Sequence, residues 1–309
     1  MTTKKKQQYR IRNWKQYNKA LTERGSLTLW IDTRSTQTWL NADHPARRGR
    51  RRTYTDCAIT CALLLREVYH LPLRSTQGLV RSILRLMQVE LPSAHYSTLS
   101  RRARQLSIKL SAYANKEIKH LVIDSSGLKV YGEGEWKVRV HGKDKRRTWR
   151  KLHISMDAEA HQITAASVTD QNTLDRTAVP DLLEQTMGEI KRVCADGAYD
   201  FEQCYRAIKK HQAVALIPPR EDAVIRGKSP FEQRDENLLQ IKLKGRKEWK
   251  RESTYHRRSL GETAFFRLKT IFSDRLRSRR DDTQSTEATV RCMAINRMTS
   301  LGMPESYPI

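Results

Sequence analysis

The sequence is poor in cysteine, in acidic charge and in long apolar runs, and each shortage narrows what the chain can be. Its five cysteines, Cys57, Cys61, Cys194, Cys204 and Cys292, form no Cys-x-x-Cys pair and no Cys/His spacing suited to zinc. Cys57 and Cys61 stand four apart in an apolar stretch, the expected setting of buried core thiols, and the set as a whole suits a reduced cytoplasm. The longest nearly apolar run, Cys57 to Leu65, is nine residues and is broken by Thr60, well short of the roughly 20 that a membrane-spanning helix needs. The basic start, Lys4-Lys5-Lys6, leads into Tyr-Arg-Ile-Arg-Asn-Trp rather than an apolar segment, so no secretory signal is expected. There is no Gly-x-x-x-x-Gly-Lys-Ser/Thr loop. Gly132-Glu-Gly134-Glu lacks the third glycine and the strand-to-helix setting of a dinucleotide fingerprint and reads as a hairpin turn, so no nucleotide cofactor is expected.

Acids number 34 against 59 lysines and arginines, a net charge of +25. Such an excess repels itself unless an anionic partner is near, and nucleic acid is the commonest. A merely soluble basic protein and an anionic membrane surface are the competing readings. Distribution favours nucleic acid: residues 1–52 carry 14 basic and 3 acidic side chains, and residues 242–280 carry 14 and 4. Charge gathered into such stretches can track a phosphate backbone.

What is present is periodic. The 38% of apolar residues fall in clusters, and 309 residues suffice for one large domain or two modest ones. Up to residue 118 the pattern is helical. Asn13 is placed to cap a helix whose Trp14, Tyr17 and Leu21 share a face, with Gly25 past its end. After the Arg47–Arg52 cluster, Thr55 opens an apolar helix running to about His70. A second helix from about Arg74 ends before Pro92, and a third begins at Ser97. Three short helices of which the last is arginine-rich resemble a helix-turn-helix unit, with Ser100, Arg101 and Arg104 as candidate DNA contacts. The competing reading is an amphipathic helix whose arginines only face water.

From residue 119 the texture changes. His120–Ile123 reads as a strand stopped by the turn Asp124-Ser-Ser-Gly. Lys151–Asp157 and Gln162–Val168 read as a hairpin, Ala178–Met187 as a helix and Arg192–Asp196 as a strand. A helix over Phe201–His211 and a strand over Ala213–Ile217 follow. Residues 220–252 show little apolar periodicity, and two helices, about Thr254–Phe272 and Thr283–Leu301, close the chain. This order implies a three-layer α/β arrangement, one mixed sheet covered on both faces.

Three acids occupy special places in it. Asp124 and Asp196 are expected at strand ends, and Glu262 on the helix after the last strand. If those strands are neighbours, the carboxylates converge, and three of them repel unless a hard cation neutralises them. Each aspartate taken alone reads equally as a turn or cap residue. The last-but-one helix is sharper. At about 100° per residue, Tyr255, Arg258, Glu262 and Lys269 fall at roughly 0°, −60°, −20° and −40°, on one stripe that no apolar core would use. An Arg258–Glu262 ion pair on a solvated face is the plain alternative. Trp149 and Trp249, embedded in basic runs, read as packing anchors ahead of base-stacking platforms, and His153 reads as structural.

The spacing Tyr-(2)-Arg-(3)-Glu-(6)-Lys, after Asp124-Ser-Ser-Gly and Asp196-Gly-Ala-Tyr-Asp, resembles the DDE transposases of bacterial insertion sequences, nearest the IS-five family in its nine-oh-three-like branch. The likeness includes Tyr96-Ser-Thr-Leu-Ser-Arg-Arg and the Met303-Pro-Glu-Ser end. It implies an RNase H-like mixed sheet flanked by helices (residues 119–302), an all-helical DNA-binding region before it (1–118) and a short tail (303–309). It implies Asp124, Asp196 and Glu262 as catalytic metal ligands for two Mg²⁺ ions, with Mn²⁺ able to substitute. It further implies Tyr255, Arg258 and Lys269 as contacts to the element's end, cleavage by water, and attack of the freed 3′ hydroxyl on target DNA. Double-stranded DNA is the expected partner, a homo-oligomer such as a dimer the expected assembly, and the bacterial cytoplasm, at the nucleoid, the expected place. Another RNase H-like nuclease and a non-catalytic DNA-binding descendant are the alternatives.

Overall fold

The structure is a computed structural model that describes residues 8–41, 53–110, 115–130 and 148–309. The Arg47–Arg52 cluster, the Gly132–Gly134 turn and the basic residues from Lys143 to Arg147 lie outside these. In chain order the elements are β1 (Tyr9–Ile11), α1 (Trp14–Glu23), α2 (Thr33–Gln37), α3 (Asp56–Val68), α4 (Leu73–Leu86), α5 (Tyr96–Arg102), β2 (Glu117–Ile118), β3 (Leu121–Lys129), β4 (Trp149–Asp157) and β5 (Gln162–Asp170). There follow α6 (Val179–Gln185), β6 (Glu189–Ile190), β7 (Arg192–Cys194), α7 (Glu202–Lys210), β8 (Val214–Leu216), α8 (Glu232–Lys244), α9 (Arg246–Glu252), α10 (Ser259–Phe272), α11 (Asp281–Ser300) and β9 (Ser306–Pro308).

The main sheet has the order β5-β4-β3-β7-β8, with β5, β4 and β3 antiparallel and β3, β7 and β8 parallel. Its strands alternate in the way a two-faced sheet requires. One buried cluster takes Val122, Leu128, Leu152, Ile154 and Met156 against Phe265, Leu268, Ala288 and Ile295, and the other takes Leu121, Ile123, Val193 and Ala215 against Val179, Leu182, Tyr205 and Ile208. Helices therefore cover both faces.

The first cluster does not stop at residue 118. It continues through Trp30, Trp39, Ile59, Leu64, Ile83 and Leu99. Polar ties reinforce it: Arg297 donates to the carbonyls of Leu29 (3.0 Å) and Trp30 (3.2 Å), and Thr286 to that of Ala103 (2.7 Å). The early helices form where expected. Thr55 caps α3, its hydroxyl accepting from Ala58 N at 3.2 Å.

Several expectations need correction. The region before 118 is not all-helical: β1 pairs antiparallel with β9, and Leu40 bridges Tyr54. The signal was hidden because both partners are three residues long and lie at opposite ends of the chain. Asn13 makes no side-chain cap to α1. Its amide is spent on the tail instead, donating to Met303 O (2.9 Å) and accepting from Glu305 N (2.8 Å). The strand through Asp124 does not end there. It runs on to Lys129, because β4 pairs with it along its whole length and keeps the backbone groups of Asp-Ser-Ser-Gly in the ladder. Helix α5 stops at Arg102, so Arg104 lies in the turn after it.

The stretch 220–252 holds two helices. Helix α8 buries Arg234, Asp235 and Asn237 beside Leu238, which is why no apolar stripe announced it. Arg234 donates to Asp200 Oδ1 at 2.9 Å, and Asp235 accepts from the backbone of Arg226 and Gly227. The legible signals were its terminal charges, with acids first and lysines last, and Gly245 at φ +82° after its end.

Candidate functional site

The site begins where two parallel strands part. The last paired residues of β3 and β7 are Val122 and Cys194. Asp124 and Asp196 each lie two residues further on, so the period of two keeps both in the register of that final pair. Beyond it β3 continues with β4, while the other chain turns away. Asp196 caps that turn over Gly197–Tyr199, its Oδ1 accepting from Ala198 N at 2.8 Å. Asp124 Oδ1 accepts from its neighbour Ser125 N at 2.9 Å. Each aspartate thus has one oxygen held by backbone.

Helix α10 runs alongside β3 in the same direction. Gly261 rests on Asp124: a Cβ there would meet Asp124 Cβ at 2.9 Å, its Oδ2 at 3.0 Å and Val122 Cγ1 at 3.2 Å. Glycine costs a helix interior about 1 kcal/mol relative to alanine, and this close approach is its physical reason. Two turns on, Lys269 Nζ donates to Ser126 Oγ at 2.6 Å, on the same face of β3 as Asp124. Past the helix, Lys129 and Asp274 form an ion pair, and Lys129 N donates to the Asp274 carbonyl. Neither Gly261 nor Ser126 stood out in the sequence, although a glycine directly before an otherwise regular helical turn was a usable signal.

The Tyr/Arg/Glu/Lys stripe is built from two pieces, a tight turn over Tyr255–Arg258 followed by α10. Tyr255 departs from the expected polar stripe, for it is buried. Its ring packs on Trp249 with centroids 5.4 Å apart and lies under Lys250, and burial pushes its hydroxyl pKa up to about 12. Trp249 is likewise buried, its indole N–H donating to Asn237 (3.3 Å), so it serves as a packing anchor. Arg258 and Glu262 form an i,i+4 ion pair. Among the described residues, no three His, Cys, Asp or Glu side chains stand together closely enough to hold one metal ion. The expected convergence is therefore incomplete, and Glu262 is engaged by Arg258.

The three acids still share one electrostatic neighbourhood. Desolvation, chiefly, holds the Asp124 carboxyl above its ordinary pKa, with Asp196 and Glu262 adding to the rise and Ser125 N and Arg258 opposing it. Tyr199, quoted in the Asp196 motif without a role, is buried beside them. Burial raises its hydroxyl pKa, and Asp175, Asp124 and Asp196 raise it further.

Elsewhere the expected residues disperse. Ser100 is half-buried, while Arg101 and Arg104 are exposed. The neighbouring Arg102 turns inward to the Tyr54 carbonyl (2.7 Å) and Asp56, tying α5 to the start of α3. His153 is buried against Thr169 (2.8 Å) and burial lowers its pKa, as a structural residue requires. Cys57 is exposed rather than buried, since it sits in the first turn of α3, whereas Cys61 is in the core.

A mixed sheet whose parallel strands part at two aspartates, overlaid by a helix bearing an acid between cations, defines an α/β protein with a carboxylate crevice where those strands part. The chain belongs to the Transposase DDE domain family: one family model of that description matches residues 115–297, more than half of the chain, and a second matches residues 22–133. Among solved structures, it is similar to the piggyBac transposase in a synaptic complex with hairpin DNA, at 8% identity over 90% of this chain and 76% of that one, with a TM-score of 0.38. That likeness is too distant to bear on the site.

Proposed function

We propose that the chain is a metal-dependent DNA transposase whose catalytic carboxylates are Asp124, Asp196 and Glu262. The observation that carries this reading is the equal offset of Asp124 and Asp196 beyond the last β3–β7 pair, with Gly261 seating the Glu262 helix directly on Asp124. The sheet order, with its first three strands antiparallel and the next two parallel, supports an RNase H-like core. The family supports an enzyme that cuts and joins DNA, and the Tyr-(2)-Arg-(3)-Glu-(6)-Lys spacing supports the transposase of an insertion sequence of the IS-five family, nine-oh-three-like branch.

The donor chemistry suits a hard divalent cation, although as folded no three such side chains among the described residues stand close enough to hold one ion. The donors are carboxylate oxygens, and Asp124 is held above its ordinary pKa chiefly by desolvation and further by the two other acids, a cost that a cation relieves. Asp124 and Asp196 would hold it, joined by Glu262 once Arg258 lets go. When bound, two Mg²⁺ ions supply activation of an attacking oxygen and stabilisation of the leaving one, with Mn²⁺ able to substitute. The chain's own groups do the rest. Backbone N–H bonds fix one oxygen of each aspartate and so aim the other. Arg258 has an exchangeable partner, and an arriving phosphate offers it a better one, freeing Glu262. Lys269, hydrogen-bonded only to a serine hydroxyl among the described residues, is placed to take a second phosphate on the same face. Tyr255 acts from beneath, bracing the turn through Trp249 and contacting DNA with its hydroxyl edge.

Arg101, Arg104 and Ser100 contact the terminal inverted repeats in the N-terminal region. Water cleaves at the element end, and the freed 3′ hydroxyl then attacks target DNA. Two ends must be paired, so the working form is a homo-oligomer, in its smallest version a dimer, at the nucleoid of a bacterial cytoplasm. The test is an assay on a linear duplex bearing the element's terminal repeat, with a supercoiled target plasmid and Mg²⁺. Metal-dependent nicking and joining, both lost in Glu262→Gln, support the proposal. Cleavage without joining would indicate another nuclease of this fold, and binding without any chemistry a non-catalytic descendant.

A further inference from the structure

A polar hub built on one buried histidine lies just behind the turn that begins the Tyr/Arg/Glu/Lys stripe. At its centre His120, nearly inaccessible, precedes β3. Its Nδ1 lies 2.9 Å from Glu159 Oε1, in the turn between β4 and β5. Its Nε2 lies 2.8 Å from Thr254 Oγ1 and 3.2 Å from an Arg192 guanidinium nitrogen on β7. Glu159 also receives Arg257 at 2.9 Å. An arginine only donates, so Nε2 accepts, and Nδ1–H donates to Glu159.

The same atoms trace a carboxylate, an imidazole and a hydroxyl, as in a nucleophile triad. That role fails on two counts. Arg192 competes for the lone pair that would take a proton, and the single Thr254 hydroxyl proton is divided between that lone pair and the Ser253 carbonyl at 2.6 Å.

The backbone gives the hub its purpose. Thr254 has φ +59°, a left-handed conformation that a β-branched residue adopts only when its surroundings enforce it. Thr254 is the residue from which the chain enters the tight turn Tyr255–Arg258. In such a turn residues three apart lie on the same side. The hub holds Thr254 and Arg257. Tyr255 and Arg258, also three apart, take the side whose electrostatic neighbours are Asp196, Asp124 and Glu262.

We propose that His120, backed by Glu159, is a positioning residue: by holding Thr254 left-handed it aims Tyr255 and Arg258 at the carboxylate crevice. The inference rests on the transposase reading for its effect on catalysis, but not for its effect on the turn. Two substitutions separate its bonds. Glutamine carries its amide at the level of Nε2 and restores the Thr254 contact, whereas asparagine carries it at the level of Nδ1 and restores only the Glu159 contact.

The experiment uses the full chain labelled with 3-fluorotyrosine, the Tyr255 resonance being assigned from Tyr255→Phe, together with nicking of the terminal-repeat duplex. The Tyr255 signal is expected to move in His120→Ala, to return in His120→Gln and to stay displaced in His120→Asn. Nicking at saturating DNA should fall about 10–100-fold in the Ala and Asn variants and recover in Gln, with the affinity for the duplex following the same order. An unmoved Tyr255 signal in His120→Ala overturns the inference, as does equal recovery by Asn and Gln. If the parent protein fails to nick, the transposase reading is lost, and the fluorine signal alone decides the hub.

Discussion

Two arginine–glutamate pairs, both spaced i,i+4, sit on consecutive helices and serve opposite ends. On α11, Glu287 and Arg291 have side chains 0% and 1% exposed; at the start of α10, Arg258 and Glu262 are 22% and 60% exposed. The buried pair is embedded in further bonds. Glu287 accepts from the backbone of Arg277 and Ser278 (both 2.8 Å), Arg291 donates to Glu67 on α3 at 3.0 Å, and Arg277 reaches Glu67 at 2.7 Å. That network staples the segment after α10 to the N-terminal helices. The exposed pair has no such support, and that is what a labile contact needs. A buried ion pair resists exchange because each charge, once alone, is stranded out of water, whereas an exposed one is worth little and yields to a better partner.

The largest expected effect removes function and spares the fold. Glu262→Gln should lower nicking by about 100-fold or more, the scale of losing one electrostatic contact in a reaction centre, while urea denaturation midpoints stay unchanged. Next comes the reverse. Arg291→Ala strands Glu67 and Glu287 and should cost about 3–5 kcal/mol in urea unfolding. An Arg291→Ala protein as stable as the parent would break the comparison.

Acid titration should sharpen it. Burial pushes the Glu287 carboxyl up, but Arg291, Ser278, Arg277 and Arg66 outweigh it and hold the folded pKa below the ordinary 4.5. Its stabilisation is therefore present above pH 4.5 and lost as pH falls towards the depressed value. Asp124 has the opposite sign, since its folded pKa is raised and its ionisation penalises the fold at neutral pH. Asp124→Asn should therefore melt no lower than the parent in metal-free buffer at pH 7 while losing nicking. A lower melting temperature would count against the crevice as a strained site. The smallest effect belongs to the exposed pair: Arg258→Gln should change stability by less than about 0.5 kcal/mol and weaken binding to the terminal-repeat duplex.

Much of the fold was legible along the chain. The apolar runs before Asp124 and Asp196 announced their strands, and Thr55 its helix. Where reading failed, the partner was remote or polar. Helix α8 was missed because Arg234 and Asp235 face inward, and β1 because its partner lies at the other end of the chain. The acids and the stripe were likewise visible, but their relation was not. Helical spacing offered the Arg258–Glu262 pair as the plain alternative, and the structure has it, but periodicity could not show that Tyr255 lies beneath the surface.

By itself the sequence determined which residues alternate, which recur every helical turn, and where the charge accumulates, because these are local properties of the chain. The tertiary structure alone decided that β3 and β7 pair only as far as Val122 and Cys194, that Gly261 must be small, and that one arginine–glutamate pair is sealed while its twin meets solvent. Strand register and burial are set by contacts between residues far apart in sequence, and no local pattern encodes them.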